Sequence, residues 1–172
     1  MKLFLLFFPL STLLLVLQTT LWTMFLPQIP CPNTTLLITL YLGFQAPLLY
    51  GGVCALMFGF LLDVFSGVTF GFHGIILLAI FILTAGFGRQ LNGDNPLILP
   101  LATIIGSAAF AFMSVLLLLL FSDRDQVWLQ ILSSIPSQIG ANLMAVIILR
   151  PLFTYLGRIG GVQPVHPFRK TP

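Results

Sequence analysis

TTLLITLYLGFQAPLLYGGVCALMFGFLLDVF, residues 34–65, decides how many helices this chain makes. The block is apolar from end to end and too long for one comfortable bilayer crossing, which takes about 20 residues. Pro47 and the pair Gly51-Gly52 fall near its middle, and both are helix breakers. Read as one span, the chain crosses five times; read as two, it crosses six.

The rest of the sequence surrounds this block with equally apolar runs. Of the 172 residues, 58% are hydrophobic and 6% charged, with a mean hydropathy of +1.09. Soluble domains carry about 25% charged residues, so the solvent for most of this chain is lipid. Spans are expected at 3–26, 34–46, 48–65, 67–91, 97–121 and 127–156, in one polytopic membrane domain with a basic tail at 157–172. Pro27, Pro30 and Pro32 end the first, and Asn92–Pro96 and Ser122–Asp125 are turns. The first run is too long for a signal-peptide core and lacks a small-residue cleavage site, so it reads as a retained helix.

Charge chooses between five and six. With six spans, Lys2, Arg89, Arg150, Arg158, Arg169 and Lys170 fall on one side, and Arg124, flanked by Asp123 and Asp125, on the other. The positive-inside rule then favours six spans with both termini cytoplasmic. The net charge of +3 is scattered over segment ends, which argues against a nucleic-acid surface. Cys31 and Cys54 stand alone, without the spacing of a metal site or disulfide framework, and no cofactor is expected. Trp22 and Trp128 sit near segment ends as interfacial anchors, and His166 lies in the Pro-rich tail.

Against this background the polar residues stand out. The run from Gly59 to His73 contains Asp63, the one acidic residue within an apolar block. A carboxylate at mid-bilayer costs about 2.5–3.5 kcal/mol, less toward a helix end. Asp63 therefore caps the Ser66-Gly67 turn, meets a partner protein, or forms an ion or proton site. His73 is the titratable group nearest to it in sequence. Ala55-x-x-x-Gly59 and Gly67-x-x-x-Gly71 offer faces for close helix contact. On the last span, Gln130, Ser134, Gln138 and Asn142 recur every four residues as a polar stripe beside Ser133, Ser137, Ala141 and Ala145. Such a stripe packs internally, binds a partner or lines a cavity. Pro136 interrupts it and is expected to kink the helix. No phosphate-cradling loop, HExxH or GxSxG is present, and no enzyme is expected.

Gly59, Asp63, Ser66, Gly67, Gly71 and His73, with Asn142 and Pro151 on the final span, resemble the pattern of the rod shape-determining protein MreD family. The resemblance implies a compact six-helix membrane bundle, like the substrate-binding subunits of energy-coupling-factor transporters. It implies a non-catalytic role in the bacterial elongation machinery, in the cytoplasmic membrane. The implied partner is MreC, and through it the MreB filament, RodA and its transpeptidase partner. Gly59, Asp63, Ser66, Gly67, Gly71, His73, Gln138 and Asn142 are then candidate partner-contact or packing residues. The polar stripe also suits a vitamin-binding transporter subunit, although the Leu- and Phe-rich first helix lacks the small-residue face such subunits use for docking. A carrier centred on Asp63 is a third reading. Whether the chain self-associates is open, because small-residue faces serve both purposes.

Overall fold

The computed structural model describes residues 2–18, 20, 24, 30–88, 97–121 and 127–159, with the backbone alone at 2–7, 121, 127–130 and 158–159. These residues form six helices, α1 (Lys2–Leu17), α2 (Thr34–Gln45), α3 (Leu48–Ser66), α4 (Phe72–Gly88), α5 (Ile98–Phe121) and α6 (Val127–Ile159), and no strand. Leu48–Ser66, Ile98–Leu120 and Ile131–Gly157 are each long and apolar enough to cross a membrane. Large apolar side chains are exposed around the outside, Leu49, Leu120, Met144 and Ile148 among them, while the interior is apolar as well. A surface of that kind is stable only against lipid, and the molecule is an all-α membrane bundle.

The 34–65 block folds as two helices, and proline alone divides it. Ala46 is pushed to φ −92°, ψ 151°, because a residue preceding proline is excluded from the helical region. Pro47 then serves as the N-cap of α3, where it has no N–H to lose. Gly51 and Gly52, expected to share in the break, lie inside α3. They are buried against the ring of Phe81 on α4, and a Cβ at Gly51 would collide with that ring. Their function is close packing. α4 begins at Phe72, five residues later than the expected span, because Gly67 (φ 64°) and Gly71 (φ 96°) both turn the chain through left-handed conformations. The Gly67-x-x-x-Gly71 pair is thus part of a loop and not a helix face.

α2 is the central post. Every residue from Thr34 to Gly43 is buried, and the helix packs against all five others. At 12 residues it is about 18 Å long, against about 36 Å for the 24 residues of α5. Its C-terminal half lies among the C-terminal ends of its neighbours. Phe44 meets Gly88 at the end of α4, Thr84 fills the space beside Gly43, and the Tyr41 hydroxyl contacts Gly157 near the end of α6. Its N-terminus stops midway through the bundle, beside Ser107 of α5 and Asn142 of α6. Short or broken helices are tolerated in membranes where other helices cover the freed backbone groups, and here they do.

α3 and α4 form a tight hairpin. Gly59 lies directly on the backbone of His73 and Gly74, with no room for a Cβ. Ala55 and Gly59, the expected close-contact face, are both buried, and Gly59 makes this contact. α6 runs on as one helix through both Pro136 and Pro151. The expected anchors and charges at Trp22, Arg89, Arg124, His166, Arg169 and Lys170, and the side chains of Lys2, Trp128, Gln130 and Arg158, lie outside the described residues, as do the turns 92–96 and 122–125.

Candidate functional site

Asp63 lies one turn from the end of α3, with its side chain fully buried. One carboxylate oxygen, Oδ2, accepts the backbone N–H of Gly71 at 2.8 Å. The other, Oδ1, accepts the backbone N–H of His73 at 2.8 Å and meets His73 Nδ1, also at 2.8 Å. The first N–H groups of a helix have no intrahelical acceptor, and a carboxylate satisfies them while complementing the positive end of the helix dipole. Asp63 therefore caps α4, across the loop, and not the nearer Ser66-Gly67 turn. Ser66 is exposed at the end of α3. The bend between them is possible because Gly67 and Gly71 take positive φ.

The His73 ring is held on two further sides. It stacks on Phe110 of α5 at 5.7 Å between centroids, with planes 10° apart, and meets Phe72 edge-on at 5.1 Å. With Nδ1 turned to Asp63, the Nε2 edge has no partner among the described residues.

A second polar group forms around the start of α2. Asn142, fully buried on α6, accepts the backbone N–H of Asn33 at its Oδ1 (2.7 Å) and donates from Nδ2 to Ser107 Oγ (2.8 Å). Asn33 is the N-cap of α2, its own side chain accepting from the N–H of Leu36. Gln138, one turn before Asn142, donates to the carbonyl of Cys31 at 2.8 Å. Gln18, just past α1, accepts from the Thr34 hydroxyl at 2.6 Å. Two polar side chains of α6 thus hold residues 31 and 33 in the middle of the bundle, with Ser107 of α5 bonded to one of them.

The polar stripe on α6 accordingly divides. Gln138 and Asn142 bond to other segments, while Ser133, Ser134 and Ser137 are exposed. The sequence did not point to Asn33, Ser107, Phe110 or Gln18. Asn33 was within reach, because Asn-Thr-Thr after a proline is a helix-start pattern. Ser107 gives no such sign.

The two groups face one space. A cleft of about 360 Å³ is bordered by His73 and Phe72 on one side, by Phe110 and Ser114 of α5, by Ser134 and Gln138 of α6, and by Asn33, Ser107 and Asn142 at one end. The structure thus brings His73, Gln138 and Asn142 to one site, with Asp63 directly behind His73. It leaves Gly59, Ser66, Gly67 and Gly71 outside as packing and turn residues. Among the described residues no group of His, Cys, Asp or Glu could hold a metal ion.

No curated protein and no solved structure matches the chain, so the likeness to transporter substrate-binding subunits stays an expectation from the family resemblance. The sequence profile of the rod shape-determining protein MreD matches residues 1–159, which takes in all six helices. This chain belongs to the MreD family of rod shape-determining proteins.

Proposed function

We propose that this protein is a non-catalytic scaffold of the elongation machinery, binding MreC and helping to organise side-wall peptidoglycan synthesis. It would lie in the cytoplasmic membrane with both termini inside. The observation that carries the reading is the family match over residues 1–159, which ties the chain to rod shape determination. The architecture supports it. Asp63, Gln138 and Asn142 make internal bonds that stiffen the bundle, and the outer helix faces carry large exposed apolar side chains that offer area for another membrane helix.

The decisive experiment is co-purification of the tagged protein with MreC from native membranes. The scaffold reading expects MreC to be recovered with the wild type. Well-folded protein that brings down no MreC would sink it and favour the small-molecule-binding subunit, for which the cleft is the relevant observation.

A further inference from the structure

We propose that the cleft between α4, α5 and α6 is a binding site for an uncharged amphiphile. Its polar head would carry both a hydrogen-bond donor and an acceptor, and its body would be apolar. This stands apart from the scaffold reading and requires no transport.

The volume, about 360 Å³, lies within the range of about 300–1,000 Å³ typical of ligand sites. The chemistry of the lining is graded. At the polar end, Ser107 and Asn142 are both more than nine-tenths buried and both border the cleft. On the same helix Thr103 and Ser114 donate their hydroxyl protons back to the carbonyls of Leu99 and Phe110. Ser107 makes no such bond. Its Oγ accepts from Asn142, and its own proton has no acceptor among the described residues. The second N–H of the Asn142 amide is likewise unpaired among them. Two buried donors thus border a space that a ligand acceptor can enter. Nε2 of His73 and the amide of Gln138 add a mixed donor and acceptor edge along the wall.

Away from this end apolar side chains predominate, and the hydroxyls of Ser114 and Ser134 donate to carbonyls of their own helices. Phe72, Phe110, Leu118 and Ile131 supply aromatic and aliphatic surface. The cleft follows α5 from Ser107 to Leu118, eleven residues or about 16 Å. Among the described residues no Lys or Arg borders it, and the Asp63 carboxylate is shielded behind His73 with both oxygens engaged. An ionic ligand would therefore meet no counter-charge among these residues, at a heavy desolvation cost. A neutral head loses little on entering and gains the unpaired donors.

Two sources share this chemistry, a neutral membrane lipid and a soluble aromatic or aliphatic amide. The test is thermal unfolding of the full chain in detergent, followed by a thiol-reactive dye at the buried Cys54. The lipid arm uses 1-monodecanoylglycerol and the soluble arm N-benzylacetamide. Decanoate and decyltrimethylammonium serve as charged probes of equal chain length. A saturable rise of several degrees with either neutral probe, absent with both ionic ones, is the expected result, and the arm that responds names the source. Ala111→Phe, which fills the cleft, should abolish the rise. Ser134→Phe repeats this at an exposed position should the first variant fold poorly. No rise with either neutral probe, an equal rise with the ionic probes, or a full rise in the cleft-filled variants would overturn the proposal.

Discussion

Asp63 serves three donors at once, two backbone N–H groups and one imidazole nitrogen. That count decides how its variants should rank. Asp63→Ala strands all of them in a buried site, at about 1–3 kcal/mol per unsatisfied group. Asp63→Asn keeps one acceptor oxygen but turns an NH₂ toward a donor, so a loss of about 1–3 kcal/mol is expected. His73→Phe keeps the backbone cap and the stacking on Phe110, losing one bond worth about 0.5–1.5 kcal/mol. Thermal unfolding in detergent should therefore place stability in the order wild type, His73→Phe, Asp63→Asn, Asp63→Ala. If His73→Phe proves as damaging as Asp63→Ala, the imidazole contact dominates and the capping account is wrong. At this scale much was legible in the sequence. A carboxylate and two amides inside apolar runs must find partners, and Asp63, Gln138 and Asn142 do. Which partners they find was not legible. Asn142 meets a serine 35 positions away and a backbone N–H 109 positions away, and Gln138 meets a carbonyl, which no residue pattern marks. Ser107 stayed hidden because a helical serine ordinarily bonds its own helix, as Ser114 does here.

The α3–α4 hairpin is set by glycines whose roles differ although the residue is the same. Gly59 touches the backbone of the facing helix, and a methyl group there would force the two helices apart. Gly86, on the exposed side of α4, has nothing within reach of an added Cβ. Gly59→Ala should cost at least the overpacking range of about 1–3 kcal/mol. Gly86→Ala should be neutral or gain up to about 1 kcal/mol from helix propensity. Unfolding temperatures of the two variants check this directly, and equal shifts would mean that the helices are not in close contact at Gly59. The sequence could not separate these glycines, because both stand in apolar helical runs and the difference is what lies opposite. It also overstated Gly51-Gly52 as a break. Glycine weakens a helix by about 1 kcal/mol, which buried packing on Phe81 offsets, whereas proline constrains the residue before it outright. Pro47 alone divides residues 34–65 in the structure, whereas in the sequence the distribution of positive charge chose the two-helix reading.

Across the whole molecule, the half-length α2 makes the bundle unequal end to end. Its C-terminal half shares one end with the C-terminal parts of α4 and α6, and there α2 itself occupies the middle of the bundle. Beyond its N-terminus the centre is open, and the cleft lies there, near the Gly67–Gly71 loop that joins α3 to α4. Charge and shape then make a joint statement about orientation. Arg150 lies in the last part of α6 and positions 158, 169 and 170 further along the sequence are also basic, so by the positive-inside rule this end is expected at the cytoplasmic face, and the α3–α4 loop and the cleft should look outward. The loop is well suited to reporting this, because Thr69 is exposed and no other cysteine lies on it. In a background with Cys31 and Cys54 replaced by alanine, Thr69→Cys should react with a membrane-impermeant maleimide once only the outer face of the cytoplasmic membrane is accessible. A green fluorescent protein fused after Pro172 should fluoresce, since it matures in the cytoplasm. Labelling of Thr69→Cys only after the membrane is permeabilised would invert the orientation. It would also move the cleft to the cytoplasmic side, and any ligand for it would have to be sought in the cell interior.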